Sequence, residues 1–451
     1  MGRVKLQQRR HELAGALWVF PAILAIAAIV LGAIVSQLRP PRGSIFEHLL
    51  FVGDDVEARR VLLTCATTIV GTLALVIGLT MVALQMAASR YSPRLLRSFV
   101  RDRTTQMVIA IFVGAFTYNA AGLYTVGRGP GDYPRLAVTL GMFSLFVCIG
   151  ALVFYIDRMV HSIQIDRVLS GIGITTARSI ADCPPGVGGN AGEGCAIASA
   201  GPPPGAVAVP AQASGYIEYI VPDRIIDAAK RVGATVLLEA GVGAHVVKGT
   251  PVAWLWGEPN VAGPAARATA DTTELRDAID AAVHIGPARS RRQDVAVGIY
   301  QIIDIAVLSI HNFDYNTAVQ STNELSILLC KLAPLPLGAE AYQDTAGTTR
   351  VVIPARGFND YLDIACGQIM RRGSREPVEL LALLRMLRDV GTLVRADDRK
   401  AAIAAKVREV LGEARESITD SSELARLESV ATVALSRLAA TPQGAAYWQA
   451  G

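Results

Sequence analysis

Four stretches of the chain carry no charge in their interiors and run for longer than a bilayer is thick, and this limits what can fold here more than any other feature. They are residues 13–38, 61–88, 104–127 and 136–156, built of Leu, Ala, Val, Ile and Phe with charges only at the edges. Crossing a hydrocarbon core as a helix takes about 20 residues. Inside that core every backbone N–H and C=O must be satisfied within the segment, which leaves the α-helix as the form for an isolated span. The pattern therefore predicts four transmembrane helices, all before residue 160. Arg3, Lys5, Arg9 and Arg10 precede the first run as they would in a secretory leader. An apolar stretch that long exceeds a leader's core of about 7–15 residues, so a retained anchor is expected.

Charge sets the expected orientation. Residues 1–180 hold 18 Lys and Arg against 9 Asp and Glu, leaving 25 and 30 for the remainder, so the two parts carry +9 and −5. The N-terminal segment and the 89–103 loop are rich in Arg, whereas the 39–60 and 128–135 loops mix basic with acidic residues. Short loops rich in Lys and Arg stay on the cytoplasmic side. With four spans, both termini and everything after Asp157 then lie inside. A basic membrane-adjacent surface suits anionic lipid headgroups, and an acidic tail argues against nucleic acid as a partner.

The densest positive charge sits between the second and third runs, in LQMAASRYSPRLLRSFVRDRTTQ (84–106), with Arg90, Arg94, Arg97, Arg101 and Arg103 against Asp102 alone. Ser92 followed by Pro93 is a helix-start signal: a hydroxyl able to cap, then a proline where the missing N–H is harmless. At 100° per residue Arg94, Arg97 and Arg101 share one face, while Leu95, Leu96, Phe99 and Val100 share the other. The expectation is an amphipathic interfacial helix, its arginines on headgroups or, if subunits gather, on anions at a pore mouth.

Beyond the spans, DRMVHSIQIDRVLSGIGITTARSIADC continues with helical periodicity, placing Met159, Ile163, Val168 and Ile172 on an apolar stripe. Residues 181–205 are so rich in Gly and Pro that a linker without regular structure is expected. From 206 to 262 short β-branched runs, AVAVPA, SGYIEYIVP, ATVLLEA and HVVKGTPVAWLWG, predict a small β-rich domain with one helical insert, DRIIDAAKRVG. AGVGAHVVKGTPVAWLW resembles the turn-and-strand pattern of biotinyl and lipoyl barrels. Lys248–Gly249 is an ordinary turn pair, however, so no carrier function is expected. From 263 to 451 apolar spacing of three and four residues predicts a helical domain broken by the strand-like RVVIPARG. The predicted fold class is thus an α-helical membrane protein with four transmembrane helices (1–180) and a cytoplasmic α+β region, a small β-rich domain followed by a helical one.

The same segments carry a family resemblance. LQMAASRYSPRLLRSFVRDR, FVGAFTYNAAGLYTV, VHSIQIDRVL, SGYIEYI, RRQDVAVGIYQIIDIAVLS, TAVQSTNEL and RGFNDYLDIACGQI together resemble the domain-of-unknown-function 2254 family of bacterial membrane proteins. The resemblance covers most of the chain and implies a location in the inner membrane of a bacterium, without an established activity. One departure stands out. Where the family pattern runs close to PAINDPTTA, this chain has Ile310-His311-Asn312-Phe313-Asp314-Tyr315-Asn316-Thr317-Ala318, which keeps the Asp, Thr and Ala and lacks both prolines.

Two sets of polar residues are candidates for function. In the spans, Thr64, Thr67, Thr68, Gln85, Tyr118 and Asn119 are exceptions in apolar surroundings, either lining a pore or bonding helix to helix. No Asp, Glu, Lys, Arg or His lies inside a span, which counts against a proton-coupled transporter. In the soluble part Asp294, Gln301 and Asp304 fall on one predicted helix face, followed by His311, Asn312 and Asp314. That set suits a polar ligand or a cation in its chemistry, the metal unassigned, or else a cap and hydrogen-bond network. The six cysteines show no CxxC or Cys/His metal spacing, and there is no P-loop, GxSxG, HExxH or dinucleotide fingerprint, so neither an enzyme nor a cofactor is expected. Four spans make a poor monomeric transporter. The expectation is a homo-oligomeric ion channel or permeation protein with a cytoplasmic regulatory domain, and the rival is a non-conducting membrane scaffold or sensor.

Overall fold

The computed structural model describes residues 18–37, 50–90, 103–124, 126, 134–162, 164–182, 191–257, 265–290 and 293–439. They form two compact units, Met1–Arg167 and Val168–Gly451.

The first unit is helical. Among the described residues, four helices are long and apolar enough to cross a membrane, within α1 (Val19–Gln37), α2 (Asp55–Arg90), α3 (Arg103–Gly122) and α4 (Arg135–Ser162). They match the four uncharged runs. α1 lies against α3 where small residues allow close approach: a Cβ on Gly114 would sit 3.2 Å from Leu24, and one on Gly32 3.7 Å from Tyr118. Ile69 and Val76 of α2, Val108 and Phe112 of α3, and Cys148 and Tyr155 of α4 close the interior. Large apolar side chains such as Ile23, Ile26, Phe146 and Val153 point outward, which water would not favour and lipid does.

The second unit mixes sheet and helix. Its helices α5 (Ile165–Asp182), α6 (Ala191–Ala200), α7 (Pro222–Val232) and α8 (Ala265–Ala282) accompany strands β1 (Val207–Pro210), β2 (Gly215–Ile220), β3 (Ala234–Leu238), β4 (His245–Val246), β5 (Pro251–Gly257) and β6 (Val283–Gly286). Next come α9 (Ala296–His311), α10 (Tyr315–Leu332), β7 (Glu340–Gln343), β8 (Thr349–Ile353), α11 (Phe358–Gly373), α12 (Pro377–Leu393), α13 (Asp397–Ser417) and α14 (Ser421–Ala439). The strands make a five-stranded sheet, β1-β5-β3-β8-β7, and a three-stranded one, β4-β2-β6. β3 and β8 run parallel, and the other pairs are antiparallel.

β7 and β8 arise within the helical stretch and return to pair on β3, so β-rich and helical segments share one folded unit. The core between the sheets holds Ile217, Ile220, Val236, Leu238, Leu255 and Val351, covered by Ile225 of α7 and Leu275 and Ile279 of α8. α7 begins on Pro222 and ends on Gly233, whose φ of 69° is the left-handed cap that glycine adopts without strain.

Two expectations change. A helix, α6, occupies part of the Gly/Pro-rich stretch. The prolines lie at 184–185 and 202–204, leaving NAGEGCAIASA between them free to coil, and Ile197 and Ala198 pack on Leu237, Ala341 and Val352. Gly194 approaches the Ala339 carbonyl too closely to admit a Cβ. The apolar stripe after the last span is also divided: Met159 packs in the interior of the first unit, whereas Ile172 is buried within the second together with Leu169, Thr176 and Ile180. Ile163 lies outside the described residues.

Candidate functional site

Three of the segments that stand out in sequence, SGYIEYI, QDVAVGIYQ and RGFNDYLD, meet at the N-terminal end of α9. Asp294 lies two residues before that helix and its side chain is wholly buried. One carboxylate oxygen, Oδ1, accepts the Ala296 N–H at 3.1 Å and Arg356 Nη1 at 3.0 Å. Arg356 comes from the loop between β8 and α11. The other oxygen, Oδ2, has no hydrogen-bond partner and faces Gly243, in the turn before β4. Gly243 has φ +84°, and a Cβ there would collide with Oδ2 and lie 3.3 Å from Arg356 Nη2, so both backbone and space require glycine. Its N–H donates to the Ile217 carbonyl at 2.8 Å, which fixes the turn on β2.

Around this pair are two further anchors. Gln293 joins the Ile220 backbone in both directions, its Oε1 accepting the N–H at 2.9 Å and its Nε2 donating to the C=O at 3.1 Å. The Arg289 guanidinium lies 5.1 Å from the Tyr300 ring centroid and 5.7 Å from that of Tyr216, while the Tyr216 ring meets His245 edge-on at 5.0 Å. Such cation–ring contacts are worth about 0.5–1 kcal/mol, more where desolvated. Burial raises the Asp294 carboxyl above the usual range, with Arg356 and then Arg289 pulling the other way. Burial likewise pushes the Tyr361 hydroxyl up to about 12, opposed by Arg356. Chemically this is a charge clamp: a buried carboxylate ties the start of α9 to the loop after β8 and packs against the turn before β4. The free oxygen is packed against Gly243. Among the described residues no group of three or more His, Cys, Asp or Glu is placed to hold an ion.

The remaining candidates in the second unit separate from Asp294. Gln301 is buried, with its Oε1 unbonded, and Asp304 is half-buried. His311, Asn312 and Asp314 lie at the far end of α9, about 25 Å along its axis from Asp294 at 1.5 Å per residue. Asp314 caps α10, accepting Thr317 N–H at 3.2 Å and Thr317 Oγ1 at 2.8 Å. Asn312 stands at the C-terminal cap of α9. Sequence reasoning named Asp294 but missed Arg356, Gly243, Arg289, Gln293 and Tyr361. Four of these five stand in or beside the quoted family segments, which was the signal available.

In the first unit Tyr118 and Asn119 are buried between helices. Tyr118 donates to the Ala137 carbonyl at 3.1 Å, and Asn119 Nδ2 donates to the Ala115 carbonyl at 2.8 Å and to Ser144 Oγ at 2.9 Å. They bond helix to helix. Thr64, Thr67 and Thr68 lie on the outer side of α2; the first two donate back to Arg60 and Leu63 carbonyls at 2.8 and 3.0 Å. Gln85 is exposed near the end of the same helix. Arg90 and Arg103 end α2 and begin α3. Arg94, Arg97 and Arg101 lie outside the described residues.

Four helices long and apolar enough to cross a membrane, followed by a unit of sheets and helices, define a membrane protein. The chain belongs to the family described as "Predicted membrane protein (DUF2254)", whose model matches residues 14–389, up to α12. It is similar to uncharacterized proteins of Mycobacterium bovis and Mycobacterium tuberculosis, each 33% identical over 418 residues that span 92% of this chain and 79% of the relative. No solved structure matches the chain significantly.

Proposed function

We propose that the chain is a homo-oligomeric permeation protein of the bacterial inner membrane, with both termini and the second unit in the cytoplasm, where that unit regulates rather than catalyses. The observation that carries this reading is the outer face of α2. Thr64, Thr67 and Thr68 are exposed there, and Gly71 and Gly78 continue the helix with nothing within 4 Å of a Cβ built on either. Elsewhere in the spans the polar side chains of Tyr118, Asn119 and Ser144 are used inside the bundle. Threonines bonded to their own helix cost little in lipid, yet small residues on an open membrane-helix face allow a second helix to approach closely. Gathered around an axis, such faces present hydroxyls to water. The arginines at 90–103 then serve as headgroup or anion contacts at the end of that helix.

Mass determination in detergent followed by current recording in planar bilayers tests the reading, with Gly71→Leu as the perturbation. Leucine fits the monomer, where the site is open, and obstructs close approach of a neighbour. Wild type should form an oligomer and conduct, and the variant should lose both. A monomeric wild type refutes the proposal. An oligomer that carries no current assigns the chain to a non-conducting scaffold or sensor instead.

A further inference from the structure

Two helical turns of the second unit lie side by side. The α9–α10 turn and the α11–α12 turn are joined by the Tyr315 hydroxyl, which donates to Glu376 Oε1 at 2.7 Å, and a Cβ on Gly373 would lie 3.5 Å from Ile310. The surface they share is unusual in three ways. Phe313 is 79% exposed, and it holds φ +60°, the one positive φ at a non-glycine position among the described residues. A left-handed conformation is strained for an L-residue, and a bulky aromatic has no local hydrogen bond to offset it. Val378 is 55% exposed on the adjoining turn. Arg371, Arg372 and Arg375 are exposed, and among the described residues none of the three forms an ion pair. The neighbouring acids are already engaged, Asp314 by Thr317 and Glu376 by Tyr315.

We infer that these paired turns, His311–Tyr315 and Arg371–Val378, dock on an anionic phospholipid surface, with Phe313 and Val378 entering the acyl boundary and Arg371, Arg372 and Arg375 on headgroup phosphates. Charge decides the occupant, because three unpaired guanidiniums call for a dense anionic surface. Scale agrees: two apolar side chains are far short of the roughly 800 Å² per partner that a stable protein interface buries. Interfacial anchoring needs only a small apolar insertion plus about 1 kcal/mol per basic residue near anionic lipid. A chain that carries its own membrane spans meets a bilayer at high effective concentration, so weak intrinsic affinity suffices. The inference rests on the family's membrane character and is independent of conduction.

Amide hydrogen exchange of the full chain in nanodiscs tests it, comparing phosphatidylcholine alone with a phosphatidylglycerol-rich bilayer. Exchange in 311–315 and 371–378 should slow ~10-fold or more with the anionic lipid, as three basic contacts imply. The protection should disappear in the R371Q/R372Q/R375Q variant and in Phe313→Asn. Asparagine tolerates the left-handed region, so the Phe313→Asn protein keeps its wild-type melting temperature and lost protection there reports binding rather than unfolding. Equal exchange in the two bilayers overturns the inference, as does protection that survives the triple arginine substitution. Protection already present in detergent and growing with protein concentration overturns it in favour of a second copy covering the turns.

Discussion

Replacing Glu379 by Gln should invert the stability order of mutant and wild type between acid and mildly alkaline pH. Glu379 is in the first turn of α12, where an acid ordinarily faces solvent and favours the helix dipole. Here it is fully buried against α10, its Oε1 accepting the Thr322 hydroxyl at 2.6 Å while Oε2 has no hydrogen-bond partner. Gly373 leaves it no space to withdraw, since a Cβ there would sit 2.9 Å from the Glu379 Cγ. Burial pushes the carboxyl up to about 7, with the Thr322 hydrogen bond only partly opposing it. A raised carboxyl binds its proton more tightly in the folded than in the unfolded chain, so its contribution is complete below the ordinary value of 4.5. That contribution is lost as pH rises through about 7. At about 1.4 kcal/mol per pH unit the loss is about 3 kcal/mol. Glutamine keeps the shape and the acceptor for Thr322 but carries an amide that lacks a second partner, a pH-independent penalty of about 1–2 kcal/mol. Wild type should therefore be the more stable protein near pH 5 and the variant near pH 8. Thermal unfolding of the full chain in detergent, followed by tryptophan fluorescence in which Trp254 and Trp256 report the second unit, reads this out. At about 2–4 °C per kcal/mol, the difference in Tm should swing by about 6–12 °C across that range. A difference in Tm that stays constant from acid to alkaline pH would refute the reasoning.

The charge clamp supports two further expectations. Gly243→Ala forces a side chain onto Asp294 Oδ2 and a left-handed φ onto alanine, and should lower the stability of the second unit by about 2–4 kcal/mol in denaturant titrations. Arg356→Gln strands a buried carboxylate and should cost about 3–5 kcal/mol at neutral pH. The loss should shrink in acid as Asp294 takes up a proton; a cost independent of pH would show that Arg356 acts through packing alone.

Much of the architecture was legible because it follows from short-range pattern. Uninterrupted apolar length specifies the spans, alternating β-branched residues mark β1 to β5, and Asp314 stands where a cap belongs. The missing parts depend on pairings that no local window contains. β8, legible as the strand-like RVVIPARG, joins β3 in parallel, Val351 beside Val236, across a long insertion, and brings with it β7, which reads as part of a helical stretch. Arg356 finds Asp294 from 62 positions away. Residues 191–200 looked too rich in glycine for a helix, yet packing on β7 supplies what local propensity lacks.

Val378 and Glu379 carry the lesson furthest, because each occupies the place its neighbour's chemistry would suggest. Helical phase puts 379, 383 and 387 on one face, and Leu383 and Leu387 are both fully buried, so the period alone sends the carboxylate inward and the valine out. An acid on an apolar stripe and an apolar residue on a basic surface each run against the burial trend. Such local conflicts in an otherwise consistent fold are where function is best sought. In this chain they fall on consecutive residues, one a proton-binding group locked between α10 and α12, the other beside the arginines of the lipid-docking turns. Glu379 lies at the contact of α12 with α10 through Thr322, the two helices that follow those turns.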